Sequence, residues 1–198
     1  MQKPSNQPIN PNTKFPTQIL TEIAIFAALS AVLYSIRIFT LPYGGSITLA
    51  SMVPVMWLSI RRGIRVGVIT GAIFGAIALL IDVLYLGASS VVATPVQAIF
   101  EYPVAFGLIG LTGVLTGLFQ KKTVNLAVAG AGLAVFLRFW VHYFAGVFVW
   151  YYVYAFPPGY GQWIWPAVYN GSFLIVEYII SAVVLTILVK RGTLDYRL

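Results

Sequence analysis

Residues 64–86 have the sequence IRVGVITGAIFGAIALLIDVLYL, in which Arg65 and Asp82 are the only charged residues. A helix needs about 20 mostly apolar residues to cross a bilayer, so this run predicts a membrane-spanning helix. The whole chain has the same character, with 60% hydrophobic residues, 9% charged residues and a mean hydropathy of +0.89. These values lie outside the range of soluble globular domains, and the sequence therefore predicts an integral membrane protein.

Further apolar runs lie on both sides of this one, and together they predict an all-α bundle of six transmembrane helices. The expected spans are about 19–40, 47–60, 64–86, 96–119, 123–153 and 166–189. The second span is short because Pro54 interrupts it, and we expect it to cross tilted or partly unwound.

The rest of the domain organisation follows from these spans. Residues 1–17 are rich in Pro, Asn and Gln, a composition typical of a disordered tail. We predict a single six-helix membrane domain over residues 18–192 and a C-terminal tail over residues 193–198.

Lysine and arginine in the tails and between the spans predict the orientation. They fall on one side of the predicted bundle, whereas the opposite loops TLPYGGS (40–46), LGASSVVATP (86–95) and YAFPPGYGQWIWP (154–166) contain neither residue. The positive-inside rule then places both termini in the cytoplasm of a multi-pass plasma-membrane protein. Because topology accounts for the net charge of +7, we expect no nucleic-acid partner. The chain has no cysteine, so thiolate metal sites are excluded, and we expect no bound metal.

Polar residues on three of the spans fall at a similar, outward depth. Glu101 and Asn170 lie near the outer starts of two descending helices, and His142 lies near the outer end of a rising one. Ionisable groups inside hydrocarbon are costly and are usually kept for function. These three residues are therefore candidate binding residues.

The spacing within FLRFWVHYFAGVFVW (136–150) extends this candidate site. His142, Gly146 and Trp150 recur every four residues and would share one helix face. We expect Gly146 to leave a slot in which a flat ring fits between His142 and Trp150. Glu101 would neutralise a positive charge on that ring, and an indole face also attracts cations. The predicted ligand is flat, cationic and hydrogen-bonding.

Each of these residues also has a structural interpretation. A lone intramembrane histidine often hydrogen-bonds another helix, and Trp150 would suit an interfacial aromatic belt. We expect Arg138 to pair with Glu177 or Asp82 as a structural bridge, and Glu22 to decorate the N-terminus of the first helix.

Small residues recur every four positions in two of the spans. Glycines in the third span form successive GxxxG steps, which predict an internal packing face. The corresponding alanine pairs of the first span are Ala24 with Ala28 and Ala27 with Ala31. Such a face permits close approach by a helix of the same bundle or of another protein.

Five motifs, in this order and at these separations, resemble the thiamine-specific S component of energy-coupling factor transporters, the ThiT family. They are TEIAIFAAL (21–29), LSIRRG (58–63), QAIFEY (97–102), HYFAGVFVW (142–150) and YNG (169–171). The resemblance covers residues 20 to 190. It implies a non-enzymatic, cofactor-free subunit that captures thiamine from outside. Delivery would go through a transmembrane coupling protein and two ATPases, and this chain has no P-loop of its own.

The resemblance also implies residue roles. The matching thiamine-site positions are Glu101, Tyr102, His142, Gly146, Trp150 and Asn170. Ala24 and Ala28 match the alanine motif that docks the coupling protein. The chain departs from the family at Gly45, where the family has a tryptophan, and at Trp165, where it has a tyrosine. We include Trp165 in the site and expect Trp163 or Trp165 to replace the missing lid aromatic.

Other functions remain open from the sequence. An S component for another cationic vitamin-like heterocycle would share the fold. A small proton-coupled carrier could use Glu101, His142, Asp82 and Glu177 as a relay. An intramembrane enzyme is disfavoured, because the chain has one histidine and neither an HExxH nor a GxSxG motif.

Overall fold

The computed structural model describes residues 16–154 and 159–194. The predicted disordered tail lies almost entirely outside them. The helices are α1 (Thr17–Ser35), α2 (Val53–Arg62), α3 (Ile64–Leu86), α4 (Ala88–Val91), α5 (Pro95–Leu118), α6 (Val124–Val153) and α7 (Ile164–Lys190). Strands β1 (Arg37–Thr40) and β2 (Ser46–Thr48) pair antiparallel as one hairpin. The predicted helical architecture is confirmed.

Within the described residues, five helices are long and apolar enough to cross a membrane: α1, α3, α5, α6 and α7. The count of six spanning helices is not confirmed. Helix α2 has ten residues and rises only about 15 Å, roughly half of the hydrocarbon thickness. It begins at Val53 because Pro54 fits the first helical turn, where its missing N–H is not needed. Residues 47 and 48 of the predicted second span belong to strand β2 instead.

Two ion pairs mark the opposite ends of the bundle. Arg62, at the end of α2, donates two hydrogen bonds to Glu22 near the start of α1, at 2.5 and 2.7 Å. Arg37, just after α1, pairs with Asp82 near the end of α3. Residues 37–62 therefore return the chain to the end of the bundle at which α1 begins, although only part of this segment is helical. We expected Glu22 to interact only with the N-terminal end of α1. That expectation is wrong, because this carboxylate is buried and paired with Arg62.

Helix α3 packs against α5 through its glycines, as the GxxxG steps predict. A methyl group added to Gly71 would collide with the backbone of Phe106, and one added to Gly75 would collide with the backbone of Tyr102. This close approach brings Phe74 and Phe106 together edge to face, with ring centroids 4.8 Å apart. The backbone contact thus fixes the depth at which the side chains of α5 face the centre of the bundle.

The C-terminal end of the chain packs on the core. Thr193 accepts a hydrogen bond from the Trp57 indole at 2.9 Å, and Leu194 is buried. These are the first two residues of the predicted C-terminal tail, and residues 195–198 lie outside the described part of the chain.

The hairpin is tied to α7 at two points. At its base, the backbone N–H and the hydroxyl of Thr48 both donate to Glu177. At its tip, the Tyr169 hydroxyl accepts from the Gly45 N–H at 2.8 Å and donates to the Pro42 carbonyl. A hairpin among membrane helices needs such partners, because its backbone polar groups find no water in hydrocarbon.

Gly45 is required by this contact. A methyl group at position 45 would stand 2.8 Å from the Tyr169 hydroxyl oxygen and 3.0 Å from the ring of Phe173. No larger side chain fits while Tyr169 holds the tip.

Replacing Tyr169 with phenylalanine should loosen the hairpin tip while leaving the helices intact. The change removes the hydroxyl that accepts from the Gly45 N–H and donates to the Pro42 carbonyl. Loss of one such hydrogen bond raises the equilibrium constant for local opening by up to about tenfold. We expect amide hydrogen exchange of a peptide covering residues 41–48 to speed up by about that factor. Tyr178→Phe is the control, since its hydroxyl bonds weakly to Val128 on α6. Equal exchange in both variants would contradict the tie.

Candidate functional site

A cavity of about 120 Å³ lies between the hairpin and helices α3, α5, α6 and α7. Every residue of the predicted binding site lines it: Glu101, Tyr102, His142, Gly146, Trp150, Trp165 and Asn170. The structure thus brings together side chains from three helices that are far apart in the sequence.

Glu101 lies at the centre of this site. Its carboxylate is 9% exposed and receives hydrogen bonds from Gln97, from Trp150 at 2.6 Å and from His142 at 3.2 Å. Among the described residues, no lysine or arginine forms an ion pair with it. Amide, indole and imidazole groups thus hold a carboxylate that has no permanent cation beside it.

Two wide helical turns shape the site. The turn Phe100–Val104 in α5 has π-helical hydrogen bonding and contains Pro103, whose ring removes one backbone donor. The turn Gly146–Trp150 in α6 has the same geometry. Such turns are rare and often occur at functional sites. They rotate Glu101 and Trp150 relative to a regular helix, a shift that four-residue spacing cannot predict.

Gly146 does not leave the open slot that the spacing predicts, although it lines the cavity. A methyl group at Gly146 would stand 2.6 Å from the side chain of Pro166 on α7. The glycine therefore lets α6 and α7 touch. Across this contact, the Asn170 amide nitrogen donates to the carbonyl oxygens of Pro166 at 2.9 Å and of His142 at 3.4 Å. This hydrogen-bonding ties Asn170 to the helix that carries the histidine.

Five aromatic residues that line the cavity form a chain of ring contacts that we call the aromatic arch: Trp150, Tyr154, Tyr43, Tyr169 and Trp165. Successive ring centroids are 5.2, 5.0, 6.2 and 6.0 Å apart. Tyr43 is at the hairpin tip, with a left-handed φ of 67°. Burial raises the pKa of the Tyr154 hydroxyl above its ordinary value, so this residue stays a neutral donor.

The arch identifies residues that the sequence analysis missed. They are Tyr43, Tyr154 and Tyr169, which no regular spacing connects with the predicted site residues, although Tyr169 belongs to the YNG motif. Tyr43 lies two residues before Gly45, and its ring packs against those of Tyr154 and Tyr169. Trp165 belongs to the arch, whereas Trp163 is 55% exposed and packs edge to face on Phe148.

Arg138 lies below His142 and makes no ion pair with any described residue. The expected bridge to Asp82 or Glu177 is therefore wrong. Asp82 is taken by Arg37 and by the hydroxyls of Tyr34 and Tyr102, at 2.8 and 2.7 Å. The pair with Arg37 depends on the hairpin, whose position the apolar pattern does not show.

The guanidinium of Arg138 instead contacts neutral groups. Its Nε donates to Nε2 of His142 at 3.2 Å, and its Nη1 lies 3.1 Å from the sulfur of Met52. The carbon Cζ is 4.0 Å from the centre of the Phe106 ring, a cation–π contact.

The charges at the cavity leave room for one more cation. Three carboxylates, Asp82, Glu101 and Glu177, lie at the cavity together with two guanidinium groups, Arg138 and Arg37. With these five groups ionised and His142 neutral, the net charge is −1. An excess negative charge favours a cationic ligand.

The chain is similar to known proteins over most of its length. The family described as thiamine transporter protein (Thia_YuaJ) matches residues 20–194. The thiamine transporter ThiT of Bacillus subtilis strain 168 is 32% identical over 179 residues, covering 85% of this chain and 88% of the relative. ThiT of Lacticaseibacillus paracasei is 31% identical over 184 residues, covering 86% of each.

A solved structure of ThiT from Listeria monocytogenes superposes with a TM-score of 0.72 at 32% identity, covering 89% of this chain and 96% of that one. These relatives confirm the predicted resemblance and a transport role in place of an enzymatic one. With the five apolar helices, they also indicate a multi-pass membrane protein. The chain belongs to the thiamine transporter protein family.

Proposed function

We propose that this protein is the high-affinity thiamine-binding subunit of an energy-coupling factor transporter, and that it captures thiamine from outside the cell. The observation that carries the proposal is Glu101, a buried carboxylate with three hydrogen-bond donors and no cation beside it in the described chain. Thiamine carries a permanent positive charge on its thiazolium ring. Bound next to Glu101, that ring would supply the missing cation.

The remaining side chains suit the rest of the ligand. The thiazolium would lie against the Trp150 indole, whose face favours a positive charge, with His142 on its other side. The amide nitrogen of Asn170 is already a donor to two carbonyls. Its oxygen would therefore accept from the aminopyrimidine. The aromatic arch would cover both rings and exclude water.

Replacing Glu101 with glutamine should weaken thiamine binding by about 100-fold or more. Removing one partner of a buried charge pair costs about 3–5 kcal/mol, and each 1.4 kcal/mol corresponds to about tenfold in affinity. Titration calorimetry or quenching of tryptophan fluorescence in detergent measures this loss.

Two controls accompany that measurement. Glu22→Gln makes the same charge change at the opposite end of the bundle, where Glu22 pairs with Arg62, and it should leave the affinity unchanged. The isolated aminopyrimidine half of thiamine lacks the cation and should bind wild type and Glu101→Gln about equally. Unchanged thiamine affinity in Glu101→Gln would remove Glu101 from the site.

The two tryptophans of the last outer segment should differ in effect. Trp165→Ala removes a ring of the aromatic arch, and we expect thiamine to bind about tenfold more weakly, in line with ~1 kcal/mol for an aromatic contact beyond its buried area. Trp163→Ala is the matched control because Trp163 packs outside the cavity, and its affinity should change by less than about twofold. A larger loss in Trp163→Ala would contradict the arch as described.

The face of α1 that points away from the bundle supports docking to a coupling protein. Ala24 and Ala28 are exposed, whereas Ala27 and Ala31 of the same helix are buried in the bundle. Small exposed side chains let a partner helix approach closely. We therefore assign Ala24 and Ala28 to the contact with the transmembrane coupling component, which would carry two ATPase subunits. The distribution of Lys and Arg supports a plasma-membrane orientation in which both termini lie in the cytoplasm.

Enlarging this face should separate binding from transport. In Ala24→Leu with Ala28→Leu, thiamine affinity should stay at the wild-type value, while copurification with the coupling module and ATP-driven uptake in liposomes should be lost. Ala76→Leu on α3, also at an exposed alanine, is the control. Uptake driven by a pH gradient with this protein alone would instead favour a proton-coupled carrier.

A further inference from the structure

We propose that Arg138 is a positioning residue that holds His142 in one neutral tautomer, with its proton on Nδ1. It thereby keeps the negative charge of Glu101 available to a cationic ligand. The part about the ligand rests on the proposed function, whereas the part about the tautomer stands on the geometry alone.

The first step is the contact between Arg138 and His142. The two residues are one helical turn apart on α6, which places Arg138 directly below the imidazole. Nε of Arg138 lies 3.2 Å from Nε2 of His142. A guanidinium has only donors, so Nε2 must accept and cannot carry a proton.

The second step concerns the other ring nitrogen. A neutral imidazole whose Nε2 accepts has its proton on Nδ1. That nitrogen lies 3.2 Å from Oε1 of Glu101, so the proton points at the carboxylate. Arg138 thus determines which nitrogen of His142 donates to Glu101, although it makes no contact with Glu101 itself.

The third step excludes a doubly protonated ring. An imidazolium would set an N–H against the N–H of Arg138 and a second positive charge beside the first. Arg138 cannot turn away to water, since it is 7% exposed. It is held between the sulfur of Met52 and the face of Phe106.

The charged groups around His142 agree with this assignment. Helix α5 contributes Glu101 and α6 contributes Arg138. From α7 come the neutral Asn170 and Phe173, with Glu177 deeper in the cavity and bound to Thr48 of the hairpin. Asp82 of α3 is paired with Arg37. Glu101 is thus the one carboxylate in contact with the ring among the described residues.

The consequence concerns competition for Glu101. Without Arg138, the carboxylate would favour a proton on His142, and the resulting imidazolium would take the place of the ligand's cation. With Arg138, the groups that bind Glu101 within the described part of the chain are all neutral donors. Binding of a cationic ligand then needs no proton to leave.

The chain has a single histidine, so its tautomer can be observed directly. Protein purified without a polyhistidine tag and labelled with ¹⁵N-histidine should give one protonated and one unprotonated ring nitrogen from pH 5 to 8, with the proton assigned to Nδ1. A proton on Nε2, or a doubly protonated ring at pH 7, would overturn the proposal. This measurement uses no ligand, so it is independent of the proposed function.

Arg138→Met keeps the side chain long while removing the donor and the charge. Because this change removes the charge that opposes protonation of the imidazole, we expect His142 of the variant to become protonated as the pH falls from 8 to 5, and the thiamine dissociation constant to rise by about tenfold over that range. Wild type should change by less than about twofold between pH 5 and 8. In the double variant Arg138→Met with His142→Gln, the thiamine dissociation constant should be as independent of pH as in wild type. Flat binding in the single variant with an unchanged tautomer would contradict the role of Arg138, whereas no thiamine binding by wild type would contradict the proposed function.

Discussion

A carboxylate kept inside a membrane protein without a cation beside it is the constraint around which this structure is arranged. Ionised groups are costly in hydrocarbon, and Glu101 is stabilised by donors from its own helix and from α6. The contact of Gly146 with Pro166 brings α6 to α7, and the glycines of α3 set the depth of α5. These close helix contacts together position the side chains that surround Glu101.

The parts of this architecture that repeat along the sequence could be predicted from it. Apolar runs of about 20 residues identify the long helices, and four-residue spacing places His142, Gly146 and Trp150 at one cavity. The hairpin and the short α2 could not be predicted in this way. Their stability depends on partners far along the chain, such as Glu177 for Thr48 and Tyr169 for Gly45. Apolar periodicity carries no information about such pairs.

Arg138 shows the same limit at the level of one residue. A buried arginine predicts a carboxylate partner, and Asp82 and Glu177 lie at the same cavity. Both are already bound by hairpin residues, Arg37 and Thr48. The arginine consequently contacts the histidine. The contacts of Arg138 therefore depend on the position of the hairpin, which the sequence pattern does not predict.

The pair between Glu22 and Arg62 has a consequence for how the protein is made. The two residues are 40 positions apart, so Glu22 is synthesised well before Arg62. A carboxylate is costly in hydrocarbon without a partner, and Glu22 lacks this partner until α2 has formed. The buried, paired position of Glu22 is therefore reached only when α2 folds back on α1.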